Sequence, residues 1–269
     1  MSLLATADGI EALVAGASSG IGLALVEQLL QSGFAGSPIV RVHALARSVN
    51  RSPALSSLQD RVGPRLRRWA VDLADPTAID RFGRALHSEG ARSNLICHAA
   101  AVLHDGDMQP ERSVVQLDPA HLQRALMVNA VAPVLMARAL WPLLRGRGPL
   151  LLTALSARVG SIGDNRLGGW YAYRASKAAL NQLYRTLSIE LARVNPQALL
   201  SAAASGNRGH AVVQTVPGWR ETQSAVCSGK GCRPVAEAPA GRGYAGQRAF
   251  PGLGRQRRAL VDPERALGC

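Results

Sequence analysis

The stretch Ala12-Leu-Val-Ala-Gly-Ala-Ser-Ser-Gly-Ile-Gly22 joins a short apolar run to a loop that contains three glycines. Ala12–Ala15 has the composition of a buried strand, and Ile21–Gln31 repeats apolar side chains with helical spacing. Glycine permits the tight turn and the close approach of a pyrophosphate, to which the helix presents free N–H groups. Strand, loop and helix in this order predict the start of a dinucleotide-binding unit. The loop residues expected at the cofactor are Gly16, Ser18, Ser19, Gly20, Ile21 and Gly22.

The second strand is predicted at Ile39–Ala44, and the chain then reads Leu45-Ala-Arg-Ser48. A site that prefers NAD places a carboxylate at this strand end, where it binds the ribose hydroxyls. No carboxylate is present here, and the Arg47 guanidinium has the charge to pair with a 2′-phosphate. The sequence therefore favours NADP, with NAD as a possible cofactor. The alternative is that Arg47 is a solvated arginine at a strand end.

The third and fourth strands, predicted at Leu66–Val71 and Asn94–Cys97, also end in residues that suit a nucleotide. Asp72-Leu73 follows the third strand, and the carboxylate could accept a hydrogen bond from the adenine amino group. His98-Ala99-Ala-Ala101 follows the fourth, and its small residues would let a cofactor pass close to the backbone. We interpret His98 as a packing or capping residue.

Strands and helices alternate along this part of the chain. Helices are predicted at Pro76–His87, capped by Asp75, and from Pro119 to Leu144, and a fifth strand is predicted at Pro149–Ala154. This alternation of strands and helices predicts an α/β fold with a Rossmann-like, doubly wound parallel sheet. The long helix carries Asn129 in an apolar stretch, and one use of a buried amide is to hold a water beside a neighbouring lysine.

The segment Trp170-Tyr-Ala-Tyr-Arg-Ala-Ser-Lys-Ala-Ala-Leu-Asn181 opens a predicted helix that continues to about Val194. Tyr173 and Lys177 are four residues apart and therefore share one face. A cation within about 4–6 Å favours the phenolate, so the pair could do acid–base work on a carbonyl or alcohol. The same pair on a surface helix is also common without any function.

These motifs, in this order, resemble the short-chain dehydrogenase/reductase family from roughly Leu13 to Leu199, and Val159–Asn181 is similar to its C-factor and sniffer-like carbonyl reductase branch. The resemblance implies that Tyr173 is the general acid in reduction and that Lys177 lowers its pKa and holds the nicotinamide ribose. It implies that Asn129 supports a proton-relay water. It also implies a small-molecule carbonyl or alcohol substrate and a homo-oligomer formed through helices 119–144 and 170–194.

Two positions depart from the family pattern. The usual Ser-x-x-Gly would place the substrate-polarising serine at Ala157, so we assign this role to Ser156, with Ser161 as the substitute. The usual Asn-Asn-Ala-Gly is replaced by His98–Ala101. The C-factor-like resemblance and the altered C-terminus described below leave a nucleotide-binding signalling or scaffold protein of the same fold, without turnover, as the alternative function.

Composition limits the other classes of function. The 269 residues carry a formal charge of +13, but the excess is diffuse arginine without interleaved aromatic residues, which argues against nucleic-acid binding. No apolar stretch reaches 18 residues and Met1–Ile10 lacks the pattern of a signal peptide, so a cytoplasmic protein without a membrane partner is expected. The cysteines at 227, 232 and 269 form no C-x-x-C pair, and no metal site or disulfide framework is expected.

After Leu200 the composition changes, so we divide the chain into a dinucleotide-binding domain, 1–199, and a non-native-looking tail, 200–269. No segment there resembles the sixth strand of the family, its Pro-Gly loop or its last strand. One interpretation is a disordered tail. Loss of these elements predicts a sheet that lacks its last strands, an uncovered edge beside the fifth strand, weak activity and poor solubility.

A second interpretation of the tail is a frameshift near Leu199–Ala202. With codons GCT GCA TCC GGG AAC CGT GGA CAC GCC for Ala203–Ala211, the frame one base later reads Leu-His-Pro-Gly-Thr-Val-Asp-Thr, the loop that the family has here. The same shift can turn Ala211–Gly218 into Pro-Ser-Ser-Lys-Pro-Phe-Gln. It can also turn Phe250–Arg258 into Phe-Leu-Ala-Trp-Gly-Gly-Ser-Asp-Gly. Both words resemble later family segments, and on this hypothesis Val212–Cys269 has no evolved fold.

Overall fold

The computed structural model describes residues 9–146 and 148–204. Within these residues six parallel strands form one sheet in the order β3-β2-β1-β4-β5-β6. The strands are β1 Ile10–Ala15, β2 Ile39–Ala46, β3 Leu66–Ala70, β4 Leu95–His98, β5 Leu150–Ser156 and β6 Ala198–Ala204. The order reverses between β1 and β4, and ligands of such sheets bind at this reversal, beyond the carboxyl ends of the strands. The predicted α/β, Rossmann-like fold is confirmed.

Helices cover both faces of the sheet and bury two apolar layers against it. They are α1 Gly20–Ser32, α2 Pro53–Val62, α3 Pro76–Ser88, α4 Pro119–Leu126, α5 Ala132–Ala139, α6 Trp141–Leu144 and α7 Tyr171–Val194. Successive β1 residues point to opposite layers, so Leu13 packs with α3, α5 and α7 while Val14 packs with α1 and α2. The predicted cap of α3 is confirmed, because the Asp75 carboxylate accepts from the Thr77 N–H at 2.8 Å.

The helix predicted from Pro119 to Leu144 is confirmed from Pro119 to Ala139, where it contains a π-helical turn, and is wrong in continuing past Leu140. A π-helical turn at Met127–Val131 separates α4 from α5, and a second break at Leu140 separates α5 from α6. The second break immediately precedes the Trp141-Pro142 start of α6, where proline suits a first turn and not a helix interior. The π-helical turn carries the buried Asn129.

The sheet was expected to end at β5, and the structure corrects this, because a sixth strand, β6, pairs with β5. Ala198–Ala204 pairs in parallel with β5 at seven positions, from Leu150 beside Ala198 to Ser156 beside Ala204. The uncovered edge predicted beside the fifth strand is therefore wrong. An alanine-rich run has low strand propensity and no alternation, so pairing with β5 decides its conformation. The remainder of the predicted tail, 205–269, and its three cysteines lie outside the described residues, as does most of Met1–Ile10.

None of the helices in the described part of the chain has the length and apolar character needed to cross a membrane.

Candidate active site

A cleft of about 420 Å³ opens at the carboxyl ends of β1, β2 and β4. Ten of the eleven residues predicted to bind the cofactor line it, and Lys177 is the exception. The ten are Gly16, Ser18, Ser19, Gly20, Ile21, Gly22, Arg47, Asp72, Leu73 and Ala99. Residues that are far apart in sequence therefore meet at one surface, as a nucleotide site at the reversal of strand order requires.

Two glycines of the loop, Gly16 and Gly22, pack too closely against their neighbours to carry side chains. Gly16 has φ +85°, and a Cβ there would lie 2.6 Å from the Ala100 backbone N. A Cβ on Gly22 would lie 2.1 Å from the Gly16 carbonyl oxygen. Backbone hydrogen bonds from Gly16 and Ala17 to the Leu45 carbonyl, at 2.8 and 3.0 Å, anchor the loop to β2. The loop thus brings bare backbone and the start of α1 to the floor of the cleft, which fits a pyrophosphate.

Charged side chains occupy the wall of the cleft near β2. The Arg47 guanidinium, 59% exposed, lies 3.7 Å from the Asp105 carboxylate, which also pairs with Arg124. One Asp72 oxygen accepts from the Ala74 N–H at 2.9 Å. Sequence reasoning missed Asp105 and Arg124, because they belong to the loop after β4 and to α4, and no spacing pattern links them to Arg47.

Lys177 lies in the second turn of α7 with only 1% of its surface exposed. Its Nζ donates to the Leu155 carbonyl at 2.7 Å, near the carboxyl end of β5, and lies 5.5 Å from the centre of the Tyr173 ring. Burial lowers the pKa of the Lys177 ammonium to about 8. The pair therefore lies at the same edge of the sheet as the glycine loop, although it does not line the cleft.

The pKa of the half-buried Tyr173 hydroxyl shifts in the direction opposite to the one that the sequence predicted. Burial raises the pKa of its hydroxyl above the ordinary value, whereas the sequence predicted that Lys177 would lower it. The reason is geometric: the ammonium lies over the ring and binds Leu155, while partial burial removes water from the phenolate form. In this structure the phenol is therefore the favoured form, which suits a proton donor.

Asn129 is buried, and its amide is bound on both sides. Its Oδ1 accepts from the Val102 N–H at 2.7 Å, and its Nδ2 donates to the Val102 carbonyl at 2.8 Å and to Ser176 Oγ at 3.0 Å. Ser176 lies beside Lys177 in α7, and Val102 lines the cleft. Asn129 therefore joins the cleft to the helix that carries Tyr173. Its predicted support of a relay water stays a prediction.

The three candidate positions for the catalytic serine differ in their surroundings. Ser156 is 5% exposed, and its Oγ donates to Asn181 Oδ1 at 2.7 Å, one helical turn beyond Lys177. Ser161 is exposed, and its Oγ accepts from the Asp164 N–H at 3.3 Å. Ala157 follows β5 directly and has no hydroxyl. Ser156 is thus held against α7, and its hydroxyl proton is already donated to Asn181.

Glu111 is a site residue that sequence reasoning missed. It is 5% exposed, and its carboxylate accepts from the Ala172 N–H at 3.3 and 3.4 Å, while its carbonyl accepts from the Trp170 N–H at 2.6 Å. Trp170 precedes α7 with φ +53° and has no side-chain cap. A distant carboxylate therefore replaces the local cap and fixes the turn that contains Tyr173. The lack of Ser, Thr, Asp or Asn at 170 was the available signal.

His98 ends β4 and is buried. Burial, with a smaller contribution from the positive charge of Lys177, lowers its pKa to about 3. The imidazole is therefore neutral at physiological pH, which agrees with its interpretation as a packing residue.

The family model of the short chain dehydrogenases matches residues 11–204 of this chain. The C-signal protein of Myxococcus xanthus is 34% identical over 106 residues, which are 39% of this chain and 55% of that protein. The chain spans about half the length of the first curated relatives it matches. A carbonyl reductase from Pseudomonas aeruginosa PAO1 is 30% identical with TM-score 0.56, over 67% of this chain and 77% of that chain. A metagenomic short-chain oxidoreductase in complex with NADP is 27% identical with TM-score 0.61, over 77% and 85%.

Proposed function

Because this chain belongs to the short chain dehydrogenase family, we propose that it is an NADP-dependent oxidoreductase that moves hydride between nicotinamide and a carbonyl or secondary alcohol. The observation that carries the proposal is the buried Lys177 beside Tyr173, at the sheet edge where the glycine loop opens the cleft. Similarity to NADP-bound short-chain oxidoreductases supports the choice of cofactor. A small carbonyl compound or alcohol is the proposed substrate.

The residues of the cleft fit NADP. The bare backbone of Gly16–Gly22 and the start of α1 would hold the pyrophosphate, and Arg47 the 2′-phosphate. Asp72 would bind the adenine amino group, and Leu73 and Ala99 would pack against the cofactor. Lys177, which lies outside the cleft at the same edge of the sheet, would bind the nicotinamide ribose. When bound, NADPH supplies the hydride.

The chain itself supplies the proton. In reduction the Tyr173 hydroxyl would give its proton to the substrate oxygen, and in oxidation the same oxygen would accept it. The phenol is protonated at neutral pH before reaction, as an ordinary tyrosine is, and burial raises its pKa further. The nearby Lys177 ammonium, with a pKa of about 8, is mostly charged at neutral pH. A positive charge beside the developing phenolate would stabilise it as the proton leaves.

The test of this function is oxidation of NADPH by the purified chain with a panel of aldehydes and ketones, with Tyr173→Phe measured in parallel. Turnover that depends on Tyr173 supports the proposal. Binding of NADPH without tyrosine-dependent turnover contradicts it and favours the second function.

The second function is a nucleotide-binding signalling or scaffold protein of the same fold without turnover. Two observations favour it: Ala157 has no hydroxyl where the family places one, and the Ser156 hydroxyl is already bound to Asn181. Partial similarity to the C-signal protein agrees with it.

We assign polarisation of the substrate carbonyl to Ser156, with Ser161 as the substitute. Ser156→Ala is expected to reduce kcat by about 10²-fold, the usual cost of one lost oxyanion donor, whereas Ser161→Ala should change it little. Steady-state kinetics of both variants make the comparison, and matching melting temperatures would show that Ser156→Ala is folded. A loss confined to Ser161→Ala would move the role to the exposed loop.

Association into a homo-oligomer through α4, α5 and α7 is part of the proposal, as is a cytoplasmic location. Apolar side chains on the π-helical turn between α4 and α5 and on α7 are exposed and would be covered by a second copy: Val131, Ile189 and Val194.

We further propose that a frameshift near Leu199–Ala202 replaced the original C-terminal third. Support comes from three family-like words that one shifted frame yields in the correct order, from Ala203 onwards. Reading the encoding DNA tests this proposal. Codons for Ala203–Ala211 that are incompatible with Leu-His-Pro-Gly-Thr-Val-Asp-Thr would overturn it, and compatible codons predict that the frame-restored chain is more active and more soluble.

A further inference from the structure

Two arginines converge on one carboxylate oxygen at the wall of the nucleotide cleft. Asp105 Oδ2 accepts from Nη2 of Arg124 and lies 3.7 Å from Nη2 of Arg47. Arg47 directly follows β2, Asp105 lies in the loop after β4, and Arg124 lies in α4. All three line the cleft. The two guanidinium groups therefore face one common point, which a negative charge occupies.

Such a point fits a phosphate better than a carboxylate. A phosphate monoester carries roughly −1.5 to −2 charge and three acceptor oxygens, and arginine binds it through two parallel N–H bonds. Arg47 directly follows β2, the strand end at which a bound dinucleotide places its adenosine ribose. We propose that the 2′-phosphate of the nucleotide binds between Arg47 and Arg124 and takes the place of the Asp105 carboxylate. The identity of this ligand rests on the proposed function.

The present ion pairs are suited to exchange. The side chains of Arg47, Arg124 and Asp105 are 59%, 41% and 39% exposed, so solvent already weakens their mutual attraction. Two backbone hydrogen bonds between Asp105 and Met108, at 3.1 and 3.2 Å, close the turn that carries the carboxylate. The side chain can therefore rotate away without opening the turn.

This arrangement makes Asp105 a determinant of cofactor specificity. A nucleotide with a 2′-phosphate supplies a stronger partner for both arginines and displaces Asp105. A nucleotide without that phosphate leaves the two ion pairs in place and gains nothing from Arg124. Arg124 is thus a second phosphate ligand, and Asp105 is an internal competitor for the same site.

The proposal is tested by calorimetric titration of the full chain with 2′,5′-ADP and with 5′-AMP, which differ by the 2′-phosphate and need no hydride transfer. Arg124→Gln and Arg47→Gln should each weaken 2′,5′-ADP binding by about tenfold or more and leave 5′-AMP within about twofold. Asp105→Asn should strengthen 2′,5′-ADP binding by about two- to fivefold, because it removes the competing charge, and should not change 5′-AMP binding.

The ion pair between Arg138 and Asp80, at 2.8 Å on α5 and α3 and away from the cleft, provides matched controls. Arg138→Gln and Asp80→Asn should change neither affinity. The proposal is overturned if the wild-type chain does not bind 2′,5′-ADP, if Arg124→Gln affects both ligands equally or neither, or if Asp105→Asn weakens 2′,5′-ADP. Inorganic phosphate that binds as tightly as 2′,5′-ADP would identify a free-anion site and also overturn it. Normal binding without turnover would contradict the proposed hydride transfer alone.

Discussion

Tyr173→Phe is expected to lower kcat for carbonyl reduction by about 10²–10⁴-fold, the usual contribution of a positioned proton donor. Phenylalanine keeps the ring over which the Lys177 ammonium lies, at 5.5 Å from its centre, and removes only the hydroxyl. The loss should therefore appear in kcat, while NADPH affinity stays within about twofold, since a group that acts only in the transition state does not contribute to ground-state binding. Single-turnover kinetics and NADPH titration measure the two quantities.

Tyr171→Phe is the matched control for this variant. Tyr171 is exposed, lies in the same helical turn of α7 and differs from Tyr173 in facing solvent. It should retain wild-type turnover. Equal activity of Tyr173→Phe and wild type would remove the acid–base assignment, even if the chain binds NADPH.

Lys177→Met is expected to change how stability depends on pH. Burial lowers the pKa of this ammonium from 10.5 to about 8, so between these values the unfolded chain holds a proton that the folded chain has released. Stability then rises with pH across this window and is lost as pH falls through about 8. The free energy of unfolding of the wild type, relative to Lys177→Met, should therefore increase by about 3 kcal/mol from the lower to the upper limit.

Denaturant unfolding at a series of pH values gives this difference. Tyr173→Phe retains Lys177 and should follow the wild-type curve from pH 8 to about pH 9.5, below the range in which Tyr173 itself titrates, which separates the effect of the ammonium from that of the neighbouring ring. A wild-type minus Lys177→Met difference that is independent of pH would show that the Lys177 ammonium is as well solvated when folded as when unfolded. Lys177→Met should also lose turnover, because the positive charge beside Tyr173 is gone.

Local signals were sufficient for most of the fold. The Ala12–Gly22 stretch predicted β1, the loop and α1, since they depend on apolar spacing and on Gly16 and Gly22, where a Cβ has no room. The Asp75 cap was predictable for the same reason, because it is a contact between near neighbours in sequence. The cleft residues could be listed because strand ends of a parallel sheet meet at one edge.

Most of the features that sequence missed depend on distant contacts, the exception being the break at Leu140, which the local Trp141-Pro142 pair signals. Strand β6 exists because β5 pairs with it, and its alanines give no pattern of their own. The charged residues at the wall of the cleft include Asp105 and Arg124, which come from a loop and a helix that are distant in sequence from Arg47. The pKa of Tyr173 was predicted in the wrong direction because spacing places an ammonium near the ring but does not reveal burial or the bond from Lys177 to Leu155.

The buried Glu111 carboxylate has a consequence for how this chain folds. Its bond to the Ala172 N–H spans 61 residues, so α7 obtains its starting point from a long-range contact and not from its own sequence. Closing a loop of that length costs conformational entropy before the contact contributes any favourable energy. We therefore expect this contact to be among the slower events of folding. Consequently, we expect the first turn of α7 to fray whenever the Glu111 segment detaches, and the Tyr173 hydroxyl would then lose its alignment while the rest of the helix stays intact.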